Sequence, residues 1–380
     1  MDFSITEEQR LILDSVDRFM ARHLPPDEVR RRDRDHIPPY DLLPIMGELG
    51  LIGLAVPAEY GGLGQDWIAV ALVQERLGRL GYMAASIFNR VVGFGAMSLL
   101  TFGSERQKRE LLPEIVKGRV LCVLALTEPE AGTDAAAITT RANRVAGGWA
   151  ISGRKVWISD AGGADYLLVA ARSQAGSRGA EGISTFLVPR RTTGIAMTEL
   201  PKLGNNAMPS WDIGFDNVVV EPDALLGEEG QGFRNLMSTL HYSRASMAAT
   251  VTGCASAALD LALQHAKERR QFGRPIGQFQ ALRHRLADMQ MRVDQARFLT
   301  YHLAWLIATG QPNRRQAAQA KVVATECLQF VARHGLQILA SAGYAAESDM
   351  QRYWRDAGLY TFGEGSNEIQ RDLIARELGL

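Results

Sequence analysis

Between positions 286 and 307, apolar residues fall at 286, 289, 293, 296, 299, 303 and 307. A spacing of three or four is the buried stripe of one long α-helix. A second long helical stretch follows over roughly 312–339. Long antiparallel helices of this kind form a bundle. The N-terminal part also reads as helix. Leu11, Val16, Phe19 and Met20 recur near helical spacing, and Ser4-Ile-Thr-Glu7 before them resembles a capping box. After a loop, VPAEYGGLG at 56–64, helical text returns in AVALVQERLGRLG and RQKRELLPEIVKG.

From about 121 to 228 the pattern shortens. Gly, Pro and Trp rise, and brief apolar runs alternate with turns. VAGGWAISG reads as a hairpin turning at Gly147-Gly148. YLLVAAR (166–172) and STFLVP (184–189) read as strands, with SQAGSRGAEG as the loop between them. The expected fold is α+β, mainly α. It has an N-terminal helical domain (1–120), a small middle β-barrel or sandwich (121–228) and a C-terminal four-helix-bundle-like domain (229–380). This order is not the alternating β-α-β text of a doubly wound sheet. No GxGxxG follows a strand, no GxxxxGK[ST] occurs, and no repeat of 20–50 residues is visible.

Composition narrows the function. A chain of 380 residues suggests two or three packed units. Its 42 basic and 42 acidic residues cancel, so no overall field draws it to nucleic acid or an anionic membrane. The run VRRRDRDH (29–36) mixes signs and reads as a solvated loop. Cys122, Cys254 and Cys327 are scattered, so neither a disulfide frame nor a metal site is expected. A reducing, cytoplasmic setting is the natural expectation. MDFSITEEQR lacks a signal-peptide pattern, and no run of about 18 apolar residues suggests a membrane span.

Four stretches carry candidate chemistry. LTEPEAGTD (126–134) follows a strand-like run and groups hydroxyls with free backbone donors; alone, it reads equally as a β-turn. KVWIS (155–159) sets a Trp two residues before a hydroxyl, either as core packing or as a cover over a flat ring. ERRQFGRPIGQFQ (268–280) clusters Arg269, Arg270, Gln271 and Arg274 with Phe272. Arg suits phosphate through its planar fork, although an exposed helix end stopped by Gly273 and Pro275 reads the same. TFGEGSNEIQR (361–371) presents one carboxylate between glycines before a last helix, where a carboxylate also favours the helix dipole.

Together with the EEQ opening, EYGGLG and KLG, these stretches resemble the acyl-CoA dehydrogenase family of flavoproteins along essentially the whole chain. The resemblance implies FAD-dependent α,β-dehydrogenation of an acyl thioester to the trans-2-enoyl thioester. Glu364 stands at the family's base position. A carboxylate is a poor base in water, and burial beside an acyl chain makes it a better one. The backbone N–H at the base and the flavin ribityl 2′-hydroxyl would polarise the thioester carbonyl. The β-hydrogen would leave as hydride to flavin N5.

The resemblance also implies the cofactor set. Leu126 and Thr127 match the pyrimidine side, Thr133 the pyrophosphate, Trp157 the ring cover and Ser159 the N5 hydroxyl. Arg269, Phe272 and Gln280 match residues that reach the FAD of a neighbouring subunit, and Gln337 matches the Gln of QxxGGxG. Ser366 and Glu368 fall on the flavin side after the base, while Thr133, Arg244 and Gly365 fall on the substrate side. A homo-oligomer, a dimer of dimers, and an electron-transfer flavoprotein as acceptor are implied with them.

The chain departs from the pattern in three places. Ala340-Ser341 replace a Gly-Gly pair, although Gly343 is kept. KLGNNAMPSWD lacks an Arg and a Ser-Asp, and His241 and Ser243 stand where acidic residues are common. These departures raise an alternative substrate, an acyl group on an acyl or peptidyl carrier protein in an assembly line. A monooxygenase or nitroalkane-oxidase-like member would generally lack the base, and a flavin-free scaffold would not keep the flavin-side residues.

Overall fold

The computed structural model describes residues 4–380. Helix α1 (Glu7–His23) opens at Thr6, whose hydroxyl accepts from Gln9 N while the Gln9 side chain accepts from Thr6 N. The capping box therefore exists, two residues later than the Ser4–Glu7 reading. The charged run at 29–36 is mostly helix α2 (Pro26–Arg34), not a loop. Arg31 and Arg32 both pair with Glu28, and a buried Arg32 also reaches Asp41. Mixed signs one turn apart hold a helix surface together as readily as they solvate a loop.

Helices α3 (Trp67–Gly78), α4 (Tyr82–Phe102) and α5 (Glu105–Val116) complete the first helical unit. The third unit is built on α6 (Gly232–Glu268), α7 (Gln280–Ala308), α8 (Arg314–Leu339) and a final α9 (Asn367–Glu377). The α7 stripe holds, except that Thr300 is buried and Leu299 only half-buried. Helix α6 runs through the centre, packed against α8, α3 and α7. Its crossing with α3 is close because glycines face carbonyls. A Cβ on Gly78 would lie 2.2 Å from Thr250 O, and one on Gly253 2.0 Å from Glu75 O. No other residue fits either position.

By length and apolar composition, α4 and α6 could each cross a membrane, which the sequence reading did not foresee. Both are packed inside the molecule, where all-round hydrophobicity marks a core helix.

The middle unit has strands β1 (Cys122–Ala125), β2 (Arg141–Val145), β3 (Gly148–Ser159), β4 (Tyr166–Arg172), β5 (Ile183–Pro189), β6 (Ile195–Leu200), β7 (Ser210–Val220) and β8 (Leu225–Leu226). They run in the order β6-β7-β3-β2-β4-β5-β8, with β1 parallel on β4. A single pair, Arg141 with Arg172, joins the two halves. Trp149 and Phe186, both fully buried, meet edge to face at 5.2 Å. The β2–β3 hairpin pairs Val145 with Gly148, so it turns at Ala146-Gly147, one residue before the expected pair. The α, β, α architecture is the one the hydrophobic pattern implies.

Candidate functional site

Glu364 lies in the turn before α9, and its backbone is left-handed, φ +56°. That region is costly for a residue with a Cβ, and side chains held there gather at functional sites. Gly365 follows at φ +91°; a Cβ there would meet the Gln370 amide nitrogen at 2.6 Å. Ser366 then caps α9 by accepting from Ile369 N. The turn is anchored from beneath by Lys321 of α8. Its buried ammonium donates to Thr361 O (3.2 Å), Gly365 O (2.9 Å) and Asn367 Oδ1 (2.8 Å). Burial pushes this ammonium down to about 8, against the pull of nearby carboxylates.

The Glu364 carboxylate points toward α4 and α6. Asn89 Nδ2 donates to its Oε1 at 3.4 Å and to Ser243 Oγ at 3.4 Å. Its other oxygen, Oε2, is buried without a donor. Arg244 of α6, 8% exposed, has its Nε buried without an acceptor, and it stands close to the Gly365 turn. A Cβ on Gly93 would fall 2.3 Å from Asn89 Oδ1, so that glycine leaves the amide its room. Native buried polar atoms are nearly always paired, and an orphaned carboxylate oxygen is a feature of reactive sites. Sequence reasoning reached Glu364, Gly365, Ser366 and Arg244 but missed Asn89, Ser243 as a contact, and Lys321. The signal for Asn89 was present: Asn89-Arg90 interrupts the apolar run AASIFNRVVGFG.

A second group gathers on the middle sheet. Lys155, wholly buried on β3, donates to Leu126 O (2.9 Å) and to Glu128 Oε1 (2.8 Å). Glu128 also accepts from Thr139 N and Thr140 N. Burial alone would raise this carboxyl, but Lys155 and those donors more than offset it and hold it at about 2. Val156 N donates to Thr127 O at 2.9 Å. The loop carrying Leu126 and Thr127 is thus clamped to β3 beside Trp157 and Ser159. Trp157 stands on a β-bulge at φ +60° with 55% of its surface exposed. Thr133 lies further along the loop, exposed. Bulges re-aim side chains, and here one turns a large flat ring outward.

The remaining sequence candidates lie elsewhere. Arg269, Phe272 and Gln280 surround a small hairpin between α6 and α7, with Phe272 90% exposed at φ +50°. Gln337 is exposed near the end of α8 and lines a hollow of about 530 Å³ with Arg333, Ala340 and Ser341. Ala340 takes the left-handed φ of +51° between α8 and the next short helix, so this departure from Gly-Gly is accommodated with strain. Glu368 is exposed on α9, and hydrogen bonds to its own backbone and to Ser366 hold its carboxyl low. The candidates therefore form separate patches on one chain: the Glu364 turn with Arg244, the 126–127 loop with Trp157 and Ser159, the 269–280 hairpin, and the end of α8.

These features suit a large, flat, phosphorylated cofactor. Exposed Trp157 and Phe272 offer aromatic faces, the 126–127 loop offers an ordered backbone edge, and Arg269 offers a guanidinium. The segment 202–212 is less as expected. Asn205 N donates to Asp356 Oδ1 at 2.6 Å, and Ala207 and Met208 are buried, so its middle is tied into the interior.

Comparison with known proteins covers the whole chain. Three family models match in order: Acyl-CoA dehydrogenase, N-terminal domain (6–119), middle domain (123–218) and C-terminal domain (230–379). The chain is 38% identical over 379 residues to a probable acyl-CoA dehydrogenase, YngJ, of Bacillus subtilis, covering 100% of both. It is 35% identical to a glutaryl-CoA dehydrogenase of Desulfococcus multivorans, over 99% of this chain and 97% of that one. Among solved structures it resembles butyryl-CoA dehydrogenase from Megasphaera elsdenii, with TM-score 0.96 and 34% identity over 100% of each chain. It also resembles the prolyl acyl carrier protein oxidase AnaB, with TM-score 0.94 and 28% identity over 99% and 100%.

Proposed function

The chain belongs to the acyl-CoA dehydrogenase family and is a flavin-dependent oxidoreductase with FAD as cofactor, and from that premise we propose that it desaturates an acyl-CoA between Cα and Cβ with Glu364 as the base. The observation that carries this reading is the Glu364 carboxylate itself. It is held at a strained φ, has one oxygen on Asn89, and has the other buried with no donor. A carboxylate oxygen kept free of donors is positioned to take a proton.

Glu364 removes the proton from Cα. Asn89 fixes the carboxylate's orientation from α4, and Lys321 fixes the turn from below through two carbonyls and Asn367. The Glu364 backbone N–H polarises the thioester carbonyl, and Gly365 lets the chain approach it closely. Bound FAD supplies the acceptor for the hydride from Cβ. Leu126, Thr127, Thr133, Trp157, Ser159, Ser366 and Glu368 would hold the flavin and pyrophosphate side. Arg269, Phe272, Gln280 and Gln337 would reach the FAD of a second subunit, which makes a homo-oligomer part of this proposal. Their separation from the sheet patch within one chain supports that division. Electrons then pass to an electron-transfer flavoprotein in the cytoplasm.

A second reading places the acyl group on a carrier protein. Its support is the likeness to a prolyl carrier-protein oxidase and the presence of His241 and Ser243 beside Arg244. Anaerobic flavin bleaching separates the two. Rapid bleaching by an acyl-CoA supports the first. Bleaching only by acyl groups on a phosphopantetheinylated carrier protein supports the second.

A further inference from the structure

A side chain at positive φ persists only where its surroundings over-determine it. Lys321 ties the Glu364 turn to α8. A second anchor reaches it from the middle unit. The short helix Leu359–Phe362 leads into the turn, and its Tyr360 is buried, with its ring 4.7 Å from that of Tyr82. The Tyr360 hydroxyl donates to Oδ1 of Asn205, in the loop between β6 and β7. Asn205 is itself buried and left-handed, at φ +53°. Its N–H donates to Asp356 Oδ1 at 2.6 Å, and its carbonyl accepts from Lys202 Nζ and from Met208 N. The loop meets the helix Asp349–Ala357 so closely that a Cβ on Gly204 would fall 2.6 Å from Asp356 Oδ1. Both backbone groups of Asn205 and its side-chain oxygen are thus engaged.

The same loop is tied to the end of β3 that carries Trp157 and Ser159. Asp160, next to Ser159, donates its N–H to Pro209 O at 2.8 Å, and Ser159 pairs with Ser210 in the sheet. Met208 Sδ accepts from Ser86 Oγ of α4 at 3.0 Å. Residues 205–209 therefore join the end of β3, α4 and the helix that leads into the base turn. Dehydrogenation takes a proton from Cα and a hydride from Cβ, so base and flavin must keep a fixed separation across one C–C bond. A misplacement of about 1 Å is enough to slow such a step severely.

We propose, on the reading of Glu364 as base, that Asn205 is a positioning residue for the dehydrogenation: through Tyr360 it holds the base turn in register with the end of β3 that faces the flavin. Asn205 touches no reacting atom. Its side chain fixes the helix before Glu364, and its left-handed backbone, which Asn adopts more readily than most residues with a Cβ, carries that side chain to the phenol.

The test isolates proton abstraction. In 3-thiabutyryl and 3-thiaoctanoyl thioesters sulfur stands at the β position, so no hydride can leave, and the base can only take a proton from Cα and return a deuteron from D2O. Deuterium entry into these thioesters, on CoA and on a phosphopantetheinylated carrier protein, is followed by mass spectrometry with the FAD-loaded enzyme at saturating ligand, the enzyme-free rate being subtracted. Calorimetry gives their affinity. The variants are Asn205→Gly, which keeps the left-handed backbone and its N–H, Tyr360→Phe, and the double variant, which leaves neither partner unpaired. Each should exchange on the order of tenfold to a hundredfold more slowly than the wild type, with affinity changed by less than about threefold. The double variant should be no slower than the slower single one, since both remove the same contact. Leu24→Ala, at a buried N-terminal position outside this network, lowers stability and should exchange at the wild-type rate. Wild-type exchange in the folded double variant overturns the inference and leaves Glu364 as base intact. Equally slow exchange in Leu24→Ala makes Asn205 a structural contact only and overturns it too. No exchange by the wild-type enzyme, or exchange that survives Glu364→Gln, overturns the base reading and the inference with it.

Discussion

Glu364 was legible in the sequence because Gly-Glu-Gly-Ser before a helix is unusual text; the residues that give it its setting were not. Asn89 and Lys321 come from two different units and meet at Glu364 only in three dimensions, so no local spacing marks them. Two expectations belong at this scale. Lys321→Met keeps the bulk but removes three donors from the turn, so flavin reduction should slow on the order of tenfold or more while FAD stays bound. Stopped-flow bleaching and the visible flavin absorbance together check this. Asp160 is the opposite kind of group. Its folded pKa of about 6 lies above the ordinary 3.8, so its contribution is fully present below 3.8 and is lost as pH rises through 6. Asp160→Asn should therefore gain thermal stability relative to the wild type as pH climbs from about 4 to above 6, and melting curves at both ends read the sign.

At the scale of elements, helices and strands announced themselves by period, and their ends did not. Val145 pairing with Gly148 moved the hairpin turn by one residue, onto Ala146-Gly147, where Gly147 takes the positive φ of +87°. The charged stretch at 29–36 became α2 with each Arg paired: Arg30 with Asp27 and Asp349, Arg31 with Glu28, Arg32 with Glu28 and Asp41, and Arg34 with Asp35. The Lys155–Glu128 clamp was invisible, since its members stand 27 residues apart on two elements. Breaking a buried pair by removing one partner costs about 3–5 kcal/mol. Lys155→Met should lower stability by that order and loosen the 126–127 loop, with weaker FAD retention on gel filtration. The carboxyl of Glu128 is depressed to about 2 from 4.5, so its contribution is present above 4.5 and is lost as pH falls toward 2. Acid unfolding of Glu128→Gln should accordingly be shallower than that of the wild type in that window.

For the whole molecule, the α, β, α order was readable because three stretches of text have three different periods. The internal placement of α4 and α6 was not. Their apolar surfaces are covered by partners remote in sequence, and length and composition alone cannot tell a core helix from a membrane span. The patches of site residues are separated in the same way. Trp157 and the 126–127 loop lie on the sheet, Phe272 at a bundle tip and Gln337 on α8. If a second subunit completes the FAD site, Phe272→Ala and Arg269→Ala should weaken FAD binding without unfolding the chain. Circular dichroism and the flavin-to-protein absorbance ratio measure the two effects separately. Unchanged FAD content in both variants would place the cofactor within one chain.

The measurement closest to the central claim is anaerobic flavin reduction by the best acyl thioester in wild type and Glu364→Gln. That substitution keeps the size of the side chain and its contact with Asn89 while removing the base. The account predicts that the variant remains yellow, binds the thioester, and loses reduction by roughly 10²-fold or more. Reduction at the wild-type rate in a folded, FAD-loaded Glu364→Gln protein would contradict it.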